Sequence, residues 1–335
     1  MLLPDGRIAV ADGASLHLRL FSAQGRFLSA SAGRGNGPGQ ILNMRLVRRL
    51  HGDTIAINAG FSIVALFAST GQFVRTAPFA PRAEATPGPP RFLLLALLNS
   101  GLGVVTSLPR IAPRSIGSRW ADTIPLTLVT ETGDVRRELG KFPYIEVEQE
   151  SSGPRPVWLS SVGVFAASDD RFYAGFGDRY QIRVYDGDGK LQSIIRRSWT
   201  PTPITDADWE HWVVEWSKLW VTTTGAERER EIQQVRESPW AEENPAFSQF
   251  IVDRVGRLWV RDAHWQDAIA AGSLTDAPAV PSSWSVFDSK GRWLGDVGMP
   301  AGFKPFEIGT DYVAGIMRTD GVNHVAIYEL SARGR

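Results

Sequence analysis

The sequence predicts an all-β fold: a six-bladed β-propeller with a helical insertion before blade 5. Three observations predict it: a turn-and-strand pattern in six copies, a glycine hairpin in five copies, and one overlong, tryptophan-rich interval between hairpins. Repeats of this length are the mark of architectures in which each unit packs on its neighbours.

The first pattern is a turn followed by an apolar strand. It occurs at 5–13 (DGRIAVADG), 52–60, 100–108, 169–177, 255–263 and 310–318. The second is an alternating strand, a tight turn with glycine and a short outgoing strand, at 18–28 (LRLFSAQGRFL), 64–74, 126–136, 182–192 and 284–294. Alternation with period 2 buries one face, and Gly25, Gly71, Gly133, Gly189 and Gly291 supply the positive φ that a short hairpin turn requires. The sixth copy, 324–330 (HVAIYEL), stops where its turn would begin. Each unit is therefore a meander of three or four strands. A lone meander leaves a face uncovered, whereas six stacked radially cover one another, and all 335 residues fit one ring.

Closure of the ring is the weak point of this pattern. Blade 6 has no outgoing strand after residue 330, and only MLL precedes Pro4 as an inner strand for blade 1. The expectation is a three-stranded last blade, or a closing strand from upstream.

Successive hairpin glycines lie 46 to 62 residues apart, except for the 102 residues between Gly189 and Gly291. The surplus is not strand-like. Thr205 followed by Asp208 makes a capping-box start, and Trp209, Trp212, Val213, Trp216, Leu219 and Trp220 then share one helical face. A weaker, charged helix is expected at 226–238, stopped by Pro239. We read 199–246 as a helical insertion capping the propeller. Residues 206–243 carry ten acidic and four basic side chains, and residues 1–120 carry thirteen Arg, no Lys and four acids. The expectation is an acidic lid docked on a basic half-ring.

Composition narrows the partners. Lys plus Arg equals Asp plus Glu at 36 each, so no global field favours nucleic acid or an anionic membrane. With no Cys, disulfides and thiolate chemistry are absent. The longest apolar run, 92–98, is far short of the ~20 residues of a membrane span. A monomer without cofactor is expected.

Three motifs carry a resemblance: LPDGRIAVAD (3–12), LFSAQGRFL (20–28) followed by GRGNGPGQ (33–40), and VDRVGRLWV (252–260). On these the chain resembles the bacterial six-bladed propellers related to NHL repeats. The resemblance implies blades rather than an activity. It also implies an extracytoplasmic setting, reached through an upstream export signal that MLLPDGRIAV does not itself contain.

The glycine-rich 33–40 lacks the GK[ST] ending of a phosphate loop. Its Arg34, with Arg45 and Arg49 beyond, is a candidate edge for a carboxylate or phosphate. The five His are scattered and form no metal-ligand spacing. His264 stands out, because RDAHWQD (261–267) flanks it with Asp262 and Asp267 beside the insertion. The candidate binding set is Arg34, Arg45, Arg49, Trp209, Trp212, Trp216, Asp262, His264 and Trp265, with no catalytic and no metal residue. The function expected is non-catalytic binding of a protein, peptide or carbohydrate at the channel mouth under the insertion. The alternative is a metal-dependent lyase or hydrolase similar to the gluconolactonase-like or NHL-type lyase families.

Overall fold

The computed structural model describes residues 1–44, 46–82, 92–107, 111–168, 170–269 and 280–330. Within them the strands form six antiparallel sheets, one for each repeat read in the sequence.

Blade 1 holds β1 (Ile8–Asp12), β2 (His17–Phe21) and β3 (Phe27–Ala32). Blade 2 holds β4 (Val47–Arg49), β5 (Ile55–Gly60), β6 (Ile63–Phe67) and β7 (Phe73–Pro78). Blade 3 holds β8 (Phe92–Leu97), β9 (Leu102–Ser107), β10 (Arg119–Thr130), β11 (Val135–Glu150) and a short outer β12 (Gly153–Pro156). Blade 4 holds β13 (Gly163–Ala167), β14 (Arg171–Phe176), β15 (Gln181–Asp186) and β16 (Leu191–Arg196). Blade 5 follows the insertion with β17 (Gln249–Val252), β18 (Leu258–Arg261), β19 (Ser282–Phe287) and β20 (Trp293–Met299). Blade 6 is completed among the described residues by β21 (Phe303–Ile308), β22 (Tyr312–Thr319) and β23 (Val322–Glu329).

The five hairpin glycines all adopt the positive φ expected of them, between 75° and 85°. In each copy the ladder shifts register just before the turn, for example between Leu20 and Phe21 and between Val286 and Phe287. These turns also join blades. A Cβ on Gly133 would stand 2.4 Å from the Ala80 carbonyl oxygen of the preceding blade, so only glycine fits there.

Five apolar clusters lie between successive blades. Leu18 and Leu20 pack with Ile55 and Phe67, Val64 with Val105, Leu126 with Phe172, Ile182 with Val260, and Trp284 with Phe303. The seam between blades 6 and 1 is polar. Leu2 bridges Ile8 as a vestigial inner strand of blade 1, and its amide donates to the Glu307 carboxylate at 2.8 Å. Arg254 donates to both the Leu2 carbonyl and Glu307, and the Tyr312 hydroxyl donates to Glu307 at 3.0 Å. Burial opposes ionisation of Glu307, yet the positive charges of the first amino group and Arg254, with the Leu2 amide, hold its carboxyl below the usual range.

Each four-stranded blade enters on its inner strand and leaves on its outer one. Connections between blades and turns between second and third strands therefore share one face of the ring. The glycine hairpins and the turns between first and second strands share the other.

Candidate functional site

The insertion leaves β16 and returns to β17, so it belongs to the first of these faces. Its ends are tied together by antiparallel pairing of Pro203 with Glu243, and the Ile204 amide donates to the Glu242 carbonyl at 2.7 Å. Helix α1 (Asp206–Trp220) starts with a capping box between Thr205 and Asp208. Helix α2 (Gly225–Arg236) packs on it through Ile232 and Val235, and Arg236 pairs with Glu210.

Trp209, Trp212 and Val213 are buried, as their helical face predicts, with Trp216 half-buried. Leu219 and Trp220 depart from the expectation: the last turn of α1 overhangs the ring and leaves both exposed. The seat of the helix is a small core of Trp209, Trp212 and Val213 with Leu159, Ile204 and Trp265. Leu159 and the adjoining Trp158 lie in the connection from blade 3 to blade 4. Trp265 lies on a 3₁₀ turn in the loop after β18. Among the described residues none of the Arg-rich first 120 belongs to this core, so the insertion's seat is not the basic half-ring on which an acidic lid was expected to dock.

The indoles form a chain. Trp240 stacks on Trp209 at 5.7 Å, Trp209 on Trp212 at 5.1 Å, and Trp158 closes on Trp212 at 5.0 Å and on Trp216 at 5.7 Å. Parallel pairing of Trp158 with Trp240 fixes this chain to the insertion's return limb. Such contacts order large apolar side chains that hydrophobicity alone would leave free to repack.

Under the overhang is a cavity of 820 Å³. Its apolar walls include Trp158, Trp212, Trp216, Trp265 and Phe247, and it reaches Val162, Gln249 and Lys304 at the starts of the inner strands of blades 4, 5 and 6. It thus opens at the mouth of the axial channel. At its polar side Arg261, the last residue of β18, donates from Nη2 to Asp267 Oδ1 at 2.6 Å, both side chains being less than a tenth exposed. Arg261 Nε and Trp212 Nε1 are buried donors without a hydrogen-bond partner. Burial pushes the Asp267 carboxyl up to about 6, the Arg261 charge opposing this only in part, and burial likewise lowers Arg261.

The expected site residues divide. Trp212, Trp216, His264 and Trp265 line the cavity, and Trp209 backs its wall, donating from Nε1 to the Arg236 carbonyl at 3.2 Å. His264 is exposed at the rim, and burial of part of its ring lowers it despite the nearby Asp208 charge. Asp262 lies outside the lining. Successive residues point to opposite sides where β18 ends, so Arg261 faces the cavity while Asp262 joins Ser283 and Arg197 between blades 4 and 5. Burial raises its carboxyl.

The arginine edge does not form. Arg34 is exposed in the connection from blade 1 to blade 2, across the ring. Arg49 ends the inner strand of blade 2 on the opposite face and pairs with Asp53 at 3.7 Å. Arg45 lies outside the described residues. Its neighbour Arg48 reaches Asn99 and the Ala167 carbonyl, tying the inner strands of blades 2, 3 and 4 at that far end.

Sequence reasoning missed Trp158, Arg261 as a cavity group, Phe247 and Lys304. The signal available was the RDAHWQD segment itself, in which Arg261 and Asp267, rather than the residues between them, make the buried pair. Among the described residues no group of three or more His, Asp or Glu converges as a metal site. Among them, too, no helix is long and apolar enough to cross a membrane.

No known family matches the chain by sequence, and no curated protein matches it. Solved structures do. A Bacteroides fragilis protein described as exported is 14% identical over 93% of this chain and 77% of its own, with a TM-score of 0.45. A DUF4221 member from Bacteroides vulgatus is 11% identical over 98% of this chain and 94% of its own, with a TM-score of 0.48. Chaetomium thermophilum Raptor is 12% identical over 98% of this chain but 23% of its own, with a TM-score of 0.41. Scores at this level bear on neither activity nor partner, and the fold rests on the strand pairing above.

Proposed function

We propose that this is a non-catalytic ligand-binding propeller, whose site is the cavity between the insertion and the channel mouth. The observation that carries the reading is the 820 Å³ cavity with tryptophan walls and one buried charged pair. Its volume falls within the roughly 300–1,000 Å³ of small-molecule sites, which combine apolar walls with a few polar groups that fix orientation. The insertion over 199–246 acts as the cap of that site, and the occupant is a carbohydrate, a peptide end or a small organic molecule. An extracytoplasmic setting belongs to the same reading and rests on the resemblance to the NHL-related propellers.

The test uses anilinonaphthalene sulfonate, a fluorescent apolar probe, and energy transfer to it from the wall indoles. Saturable binding at one site is expected. It should weaken in Val162→Trp, because Val162 is 43% exposed at the cavity floor and an indole there occupies part of the space without displacing the core. Unchanged probe binding in that variant, with circular dichroism intact, would refute the assignment.

A further inference from the structure

We infer that a second cavity, between the glycine hairpins of blades 3 and 4, is an anion site that takes the phosphate group of a small molecule. It lies on the face of the ring opposite the insertion and does not depend on the reading above.

The cavity measures 440 Å³, within the roughly 300–1,000 Å³ of small-molecule sites. Its lining holds three cations, Arg136, Arg137 and Lys190, with the hydroxyl of Ser100 and one carboxylate, Asp188. Arg136 and Lys190 form no ion pair among the described residues. Two further carboxylates of the same hairpins are engaged nearby: Asp134 with Thr132 and Arg82, and Asp186 with the amides of Asp188 and Lys190 and the side chain of Gln192.

The hairpin bulge explains why two successive arginines line one cavity. Neighbouring side chains of a regular strand point to opposite sides, but where the ladder shifts register two residues oppose one, and the bulge re-aims a side chain. In blade 3 the two are Arg136 and Arg137, opposite Leu128. In the other four hairpins they are Leu28 and Ser29, Val74 and Arg75, Gln192 and Ser193, and Leu294 and Gly295. A position that elsewhere holds at most one cation holds two here. The facing turn departs from the repeat as well. Where the other turns carry Ala23, Ser69, Glu131 and Ser289, blade 4 carries Gly187, which leaves that part of the lining without a side chain. Packing does not demand this glycine, because a Cβ there would come no closer than 3.4 Å to the Asp170 carbonyl oxygen.

Arg137 is held in place before any ligand arrives. A Cβ on Gly189 would stand 2.9 Å from its Cδ, and its Nε donates to the Asp188 carbonyl at 2.6 Å. Its terminal nitrogens take no partner among the described residues. Two guanidinium groups, an ammonium and a hydroxyl, drawn from two blades, offer donors to an oxyanion from several directions. A planar carboxylate is satisfied by one guanidinium, whereas a phosphate group presents three acceptor oxygens and a charge of about −1.5 to −2 at pH 7.

The experiment is titration of the full chain with glucose 6-phosphate at constant ionic strength, followed by phosphorus NMR. Saturable binding at one site is expected. Inorganic phosphate should compete, glucose should not, and glucuronate, a carboxylate on the same sugar, should compete only at about tenfold or higher concentration. Arg136→Gln with Arg137→Gln should weaken binding by about tenfold or more. Asp188→Asn removes the opposing carboxylate and should tighten it by about two- to fivefold. Arg179→Gln with Arg196→Gln removes the same charge from exposed positions on the insertion face and should leave affinity within about twofold. Val162→Trp should leave the phosphate titration unchanged, so this site and the cavity under the insertion fail separately.

The inference is overturned if glucose 6-phosphate does not bind saturably, if glucuronate competes as well as inorganic phosphate, if affinity survives loss of both arginines, if Asp188→Asn weakens binding, or if the control pair on the insertion face costs as much as Arg136 and Arg137.

Discussion

Trp265 is the side chain through which the loop after β18 holds the insertion. It is 8% exposed, sits in the core with Trp212 and Val213, and meets the His211 ring on α1 at 5.4 Å. Trp265→Ala removes a buried indole, and truncations of that size cost about 3–5 kcal/mol. This indole joins the insertion to the ring and takes no part in strand pairing, so the cost falls on local opening of 206–236 and not on the ladders. At 1.4 kcal/mol per factor of ten, amide exchange in α1 should quicken by about a hundredfold to a few thousandfold. Hydrogen exchange read by mass spectrometry resolves α1 peptides from strand peptides. Unchanged protection in α1, or equal loss across all six blades, would refute the view that the insertion is a separately opening unit hinged on this residue.

Two further outcomes concern the ring itself. The lowered Glu307 carboxyl contributes stability that is present above its unfolded value near 4.5 and is lost as pH falls through its folded value; Glu307→Gln should therefore cost about 1–3 kcal/mol at pH 7 and flatten acid melting below pH 4.5, and a melting curve with unaltered acid dependence would contradict the seam network. In β23, which pairs only with β22 among the described strands, Val325 and Ile327 are 48% and 44% exposed, so Ile327→Lys should leave the melting temperature unchanged, and a drop of several degrees would show that this face is covered in solution.

The blades were legible because their determinants are local. A hairpin glycine declares its own φ, as Gly25 through Gly291 do, and a capping box needs only Thr205 and Asp208. The three strands that blade 6 shows among the described residues were legible too, since no hairpin glycine follows HVAIYEL at the spacing of the other copies. The cavity was half legible. The stripe on α1 marked Trp212 and Trp216, but its partner Trp158 comes from another blade's connection, and no period links the two. Arg261 and Asp262 are adjacent in sequence yet belong to different environments, because a strand end sends neighbouring side chains opposite ways. Arg34 and Arg49 fail as a cluster for a related reason: strand β4 carries the chain from one face of the ring to the other between them.

Five apolar interfaces in series and one polar seam make the ring, energetically, a row with two ends. In such a row each unit is stabilised by its nearest neighbours, and units at the ends open first. Blades 1 and 6 are those ends, and both are short of a full set of strands among the described residues. The tryptophan cavity is built on connections around blades 4 and 5, each flanked on both sides by an apolar interface. Partial opening at the seam therefore leaves the walls supplied by blades 4 and 5 at their spacing, with Lys304 the lining group carried by an end unit.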